Sequence, residues 1–163
     1  AVKYLDQTIR LNPKTVLAIF GQDGEAFQIG QIHVVFLGRL DDNALRNAYS
    51  ASNVMVVPSR LDNLPSTAVE AQACGTPVIA FRTGGLPDIV QEEKTGLLAD
   101  PFDVGQLSRL LGKVLGDPEL EKKLGHLALA RARLEWSPEK VAHQYMEVFR
   151  RAALGRRQRD YAG

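Results

Sequence analysis

The sequence predicts an α/β protein: a doubly wound parallel sheet with helices on both faces, followed by C-terminal helices. Three observations predict it. Short, almost wholly apolar runs, several closed by glycine or proline, recur through residue 100, as strands buried on both faces do. Segments with helical spacing or cap signals stand between most of them, and such alternation is the mark of βαβ construction. After Pro101 the alternation stops and helical periodicity takes over.

The elements follow in order. AVKYLDQTIRLNP opens the chain as a helix, with Val2, Leu5 and Ile9 at helical spacing and Asn12-Pro13 as the stop. TVLAIFG (15–21) and IHVVFLG (32–38) are strands, and the Gly-rich GQDGEAFQIGQ between them reads as a loop. DDNALRNAYSASN (41–53) is a helix capped by Asp41 or Asp42, with Leu45, Ala48 and Tyr49 on one face. NVMVVPS (53–59) is a third strand, stopped by Pro58. TAVEAQACG (67–75) is a helix ended by Gly75 at C′. TPVIAF (76–81) is a fourth strand, and TGLLAD (95–100) a short fifth. Between them, TGGLPDIVQEEKTG holds a glycine turn and a helical turn or two. Three helices then start at Asp103, at Asp117-Pro118 and at Ser137-Pro138, where serine caps and proline takes N1. Trp136 is expected to pack back on the domain. We divide the chain into a domain over residues 1–136 and a C-terminal helix with a basic tail over 137–163.

Composition narrows the function. The 163 residues carry 20 Lys and Arg against 19 Asp and Glu, a balance that points to neither nucleic acid nor membrane. Five arginines fall in the last fourteen residues and form a solvated tail. Cys74 is the sole cysteine, which excludes an intrachain disulfide and a Cys-rich metal site; on an apolar run it reads as a small buried residue. His33, His126 and His143 lack metal-ligand spacing, so no metal or cofactor is expected. No stretch resembles a signal peptide or a membrane span, which points to the cytoplasm. The loop GQDGEAF has Asp23 where a dinucleotide-binding GxGxxG needs glycine, and there is no GxxxxGK[ST].

DNLPSTAVE (62–70) is more specific. Thr67 and Glu70 have the spacing of a capping box, with Thr67 as cap and Glu70 reaching back from N3. Capping leaves Asp62 unexplained. A helix N-terminus after a parallel strand is also a ready anion site, and a carboxylate there suits sugar hydroxyls. Strand end, helix start and glutamate together suit a phosphorylated sugar.

The run VMVVPSRLDNLPSTAVEAQACGTPVIAFRTGGLPDIVQEEKTGLLADPFD resembles the nucleotide-binding half of a GT-B retaining glycosyltransferase of family 4, the group 1 glycosyl transferases. The pattern is Pro-Ser after a strand, an acid, seven residues, a glutamate, then Ala-x-Ala-x-Gly-x-Pro-Val-Ile, a glycine pair and Thr-Gly-Leu-Leu. Upstream, FLGRL and LRNAY match as well, so the likeness runs from Val16 to Asp103.

The resemblance implies roles residue by residue. Glu70 would hold the ribose hydroxyls of the donor nucleotide, and Asp62, here one methylene shorter than the usual glutamate, would contact the transferred sugar. These two are the candidate catalytic residues. Ser66 and Thr67 would offer backbone amides to the diphosphate, and Leu40 a backbone contact to the base. Leu64-Pro65 stand where the family has Phe-Gly, so Leu64 lines the donor site and Pro65 removes an amide donor. Gly84 and Gly85 resemble a pair facing the cleft, where the lack of Cβ admits substrate or the opposing domain. Arg39 is not assigned to the diphosphate, because the family's Gly-Arg pair belongs to an earlier strand.

The resemblance also implies a Rossmann-like half whose first strand, with its arginine and lysine, precedes Ala1, together with an N-terminal acceptor-binding domain. The exposed sheet edge left there invites self-association. The expected donor is a UDP-, GDP- or ADP-linked sugar, passed to a hydroxyl acceptor with retention, and the isolated chain is expected to be inactive. Peripheral association of the full-length protein with a membrane is compatible with this. The alternatives are a GT-B epimerase or phosphorylase, or a non-catalytic scaffold domain.

Overall fold

The computed structural model describes residues 15–160, with side chains through Leu154. The helix expected over the opening segment lies outside the described residues. The elements are strands β1 (Val16–Phe20), β2 (Phe27–Ile29) and β3 (Ile32–Gly38), helix α1 (Asp42–Ala51), β4 (Met55–Val57), α2 (Ser66–Ala73), β5 (Val78–Phe81), α3 (Leu86–Ile89), β6 (Gly96–Ala99), α4 (Val104–Leu115), α5 (Pro118–Glu135) and α6 (Pro138–Asp160). The α/β class and the C-terminal helices agree with the sequence expectation.

The strands form two three-stranded sheets. In the first, β1 lies parallel to β3, with Val16 opposite His33 and Ile19 opposite Phe36. The segment read as a loop contains β2, which pairs antiparallel with β3, Phe27 opposite Val34. The correction has a local cause: Gly30, at φ +57°, turns the chain tightly, and FQI before it alternates as a strand does. In the second sheet β4, β5 and β6 are all parallel, Met55 opposite Val78 and Val78 opposite Gly96. Helix α1 carries the chain from the first sheet to the second. Among the described residues β1 and β4 each pair with a single strand.

Helices cover both faces of the second sheet, and side-chain alternation decides which residues meet them. Ile79, Phe81, Leu97 and Ala99 face Leu107, Leu111 and Val114 of α4 and Leu124 of α5; Ile32 and Val34 of β3 join the same cluster. Val78, Ala80 and Leu98 face Ala68 and Ala71 of α2 and Leu86 and Ile89 of α3. Each large aliphatic side chain fully buried here contributes about 1.5–3 kcal/mol. Trp136 packs against this second cluster, as expected.

Most helix starts follow their sequence signals. Asp41 accepts from the Ala44 amide at 2.8 Å, Asp103 from Gln106 at 2.8 Å and Asp117 from Leu120 at 3.0 Å. The Lys140 amide donates to Ser137 Oγ at 3.3 Å. Gly75 takes the left-handed conformation, φ +81°, just past α2. Helix α2 departs at its start: Pro65 is the N-cap and no side chain caps it. The helix begins one residue earlier than the sequence suggests, so Thr67 is inside it and the expected capping box does not form. Pro65, at φ −66° and ψ 113°, sets the extended entry by itself.

Candidate functional site

The carboxyl ends of β4, β5 and β6 open into three loops that pack on one another. In the loop after β4, the Leu64 amide donates to Asp62 Oδ1 at 3.2 Å, a local turn closed by the side chain. This accounts for Asp62, which helix capping left unexplained. Its Oδ2 takes no hydrogen bond among the described residues.

The loop after β5 is fastened to it. Thr83 Oγ1 donates to the Ser59 carbonyl at 3.0 Å, and the Gly85 amide to the Asp62 carbonyl at 3.1 Å. A Cβ on Gly84 would lie 1.8 Å from the Asp62 carbonyl oxygen, and one on Gly85 1.9 Å from that of Asn63. The glycine pair therefore admits the chain's own backbone. The space each missing side chain would take is filled by residues 62 and 63 of the neighbouring loop. From the other side, Arg131 of α5 donates to the carbonyls of Ile89 and Asp88, where α3 ends. The loop after β6 joins through Phe102, which packs edge-on to Phe81 at 6.1 Å and lies under the Arg60 guanidinium at 5.1 Å.

Helix α2 rises from this platform. Its first turn carries no acid, and the amides of Ser66 and Thr67 precede the first amide that donates within the helix, that of Ala68 to the Pro65 carbonyl at 3.1 Å. Partial positive charge collects there. Ser66 is exposed and Thr67 half-buried. Glu70 lies one turn further along, half-buried, on the same side as Ser66. Its Oε2 accepts from the Tyr49 hydroxyl of α1 at 3.0 Å, while Oε1 takes no hydrogen bond among the described residues. Burial pushes the Tyr49 phenol well above its usual range, and the Glu70 hydrogen bond, the Glu70 charge and Cys74 push in the same direction. Tyr49 therefore keeps its proton and donates.

The structure thus joins Asp62, Leu64, Gly84 and Gly85 in one packed unit and sets Ser66, Thr67 and Glu70 on the helix that leaves it. Leu40 stands apart: half-buried before the Asp41 cap, it belongs to neither core cluster. Sequence reasoning placed Tyr49 on a helix face without its bond to Glu70, and it missed the Arg60–Phe102 pair. The left-handed φ of +65° at Phe102 carries no local signal in a phenylalanine. Among the described residues no three His, Cys, Asp or Glu side chains converge to hold a metal ion.

Comparison with known proteins adds the family. A D-inositol 3-phosphate glycosyltransferase of Corynebacterium jeikeium is 38% identical over 128 residues, covering 77% of this chain and 30% of the relative. A GDP-mannose-dependent monoacylated alpha-(1-6)-phosphatidylinositol monomannoside mannosyltransferase of Corynebacterium glutamicum is 31% identical over 160 residues, covering 90% of this chain and 42% of its own length. The chain thus spans less than half of either relative. Among solved structures, sucrose-phosphate synthase from Thermosynechococcus elongatus superposes with a TM-score of 0.78 at 30% identity, over 94% of this chain and 42% of that one. Anabaena HepE in complex with UDP and glucose shares the fold, with a TM-score of 0.71 at 17% identity, over 91% of this chain and 51% of that one. The profile described as "Glycosyl transferases group 1" matches residues 1–130, and on that match the chain belongs to the group 1 glycosyl transferase family.

Proposed function

We propose that the loops after β4 and β5 and the start of α2 form the donor site of a retaining, family 4 glycosyltransferase, and that the chain is its C-terminal, nucleotide-sugar-binding domain. One observation carries this: a helix N-terminus at the carboxyl end of a parallel sheet, with two carboxylates beside it that each keep an oxygen unengaged. Amides at Ser66 and Thr67 stabilise the diphosphate. Glu70 Oε1 accepts from the ribose, and Asp62 Oδ2 from the transferred sugar. Leu64, 51% exposed, lines the site, and the Leu40 backbone meets the base. Gly84 and Gly85 serve by letting the two loops close on each other. UDP, named with the Anabaena protein, and GDP-mannose, named for the C. glutamicum relative, support a UDP- or GDP-linked donor; an ADP-linked donor completes the set to be tested.

The acceptor binds in a separate N-terminal domain, and an arginine and a lysine on the first strand of the Rossmann-like half neutralise the leaving diphosphate; the isolated chain is expected to turn over no donor. The unpaired edges of β1 and β4 favour self-association of the isolated chain. No described helix is long and apolar enough to cross a membrane; we place the protein in the cytoplasm, with membrane contact, if any, peripheral.

Calorimetric titration with UDP, GDP and ADP, with and without Glu70→Ala, tests the site. The substitution is expected to weaken the preferred nucleotide by about 1.5–3 kcal/mol, the worth of a hydrogen bond to a charged group. Equal affinity in both proteins would sink the ribose assignment, and no binding of any nucleotide would favour a scaffold. Glu70→Ala also leaves the buried Tyr49 hydroxyl unpaired, so unliganded melting is measured alongside.

A further inference from the structure

We infer that Tyr49 is a positioning residue for nucleotide binding: it fixes Oε2 of Glu70 so that Oε1 faces the ribose hydroxyls. The inference rests on the ribose role proposed for Glu70 and assigns it a partner from a different helix.

Tyr49 is itself held on every side. It is 3% exposed, and its ring meets Phe20 of β1 edge-on at 5.6 Å with an interplanar angle of 86°. Its carbonyl accepts from Thr76 Oγ1 at 2.6 Å and from the Ser52 amide at 2.9 Å. The hydroxyl therefore projects from a fixed ring on a fixed backbone. A glutamate has three side-chain torsions, and Glu70 sits on a helix face that is half open to solvent. Left alone it samples several rotamers, and ordering one of them weakens binding. The bond at 3.0 Å removes that freedom before a ligand arrives. An ionised carboxylate only accepts. With the phenol on one oxygen, the other is left for a donor, and a ribose diol is a donor pair of the right kind. A phenol suits the task because it donates and carries no charge, so it leaves the carboxylate's charge to the ligand. The same bond ties α1, which follows the first sheet, to α2, which connects β4 and β5 of the second, so Glu70 is aligned from both halves of the molecule.

The test takes whichever of UDP, GDP and ADP binds most tightly, written here as UDP, and compares it with its 2′,3′-dideoxy form by calorimetry, in the wild type and in Tyr49→Phe, with melting curves to verify folding. The wild type is expected to prefer UDP. Tyr49→Phe should reduce that preference by about five- to tenfold while leaving dideoxy-UDP affinity unchanged. In a Glu70→Ala background the further change Tyr49→Phe should leave UDP affinity where it was, because the two residues act as one unit. A wild-type preference that survives intact in Tyr49→Phe overturns the role of Tyr49 and leaves Glu70 standing. A loss of affinity shared equally by both nucleotides also overturns it, since a merely structural residue would act on both. A wild type that does not distinguish the two nucleotides, or binds neither, overturns the ribose assignment and this inference with it.

Discussion

The two sheets of this molecule are built differently. Every residue of β5 and β6 is buried, because α2 and α3 cover one face and α4 and α5 the other. In β1 no residue is fully buried, and in β3 only Ile32 and Val34 are. Val16, at the start of β1, is 55% exposed. The difference teaches where a binding site can be precise. The loops after β4, β5 and β6 hang from the doubly covered sheet and lock together through Thr83, the glycine pair and Phe102. The first sheet lends α1, and with it the phenol that holds Glu70.

Four measurements break or sharpen this contrast, from the largest expected effect to the smallest. Ile79→Ala, in the middle of β5, should cost about 2–5 kcal/mol in urea unfolding, the range for a large aliphatic side chain removed from a tight core. A loss below about 1 kcal/mol would mean that the second sheet is not the rigid half. Gly85→Ala should cost about 1–3 kcal/mol from overpacking alone, since the glycine has an ordinary φ of −84° and the added Cβ meets the Asn63 carbonyl. It should also weaken nucleotide binding, by displacing the Asp62 loop; unchanged stability and affinity would show that the two loops are not locked.

The third effect is alkaline. The folded pKa of Tyr49 lies above its unfolded value of about 10. Its contribution is thus fully present below about pH 10 and is lost as pH rises through the folded value. Wild-type stability should fall more steeply above pH 10 than that of Tyr49→Phe, which has no such proton to lose. Parallel curves would remove the Tyr49–Glu70 bond from the account. Last, Val16→Ala, at the exposed start of β1, should change stability by less than about 0.5 kcal/mol. A cost rivalling that of Ile79→Ala would erase the distinction between the sheets.

Much of the fold was legible locally. Asp41, Asp103, Asp117-Pro118 and Ser137-Pro138 start helices because a side-chain oxygen a few atoms from the backbone settles the matter within four residues. The apolar runs of β5 and β6 announce burial on both faces. The short β2 was harder: three residues before Gly30 carry too little alternation to outweigh a glycine-rich context. At the site, DNLPSTAVE marked the place. The reading of its helix start failed because Pro65 alone sets the entry angle, which freed Glu70 from capping and left it to Tyr49, twenty-one positions earlier.

The sequence by itself determined the α/β class, the order of most elements and the caps of α1, α4, α5 and α6. These depend on periodicity and on contacts within a few residues, which a linear chain displays. Only the tertiary structure decided that the strands form two sheets, that Gly84 and Gly85 make room for the backbone at Asp62 and Asn63, and that Glu70 is held by Tyr49. The glycine and Glu70 contacts join residues more than twenty positions apart, and their meeting is fixed by how helices and loops close over the sheets.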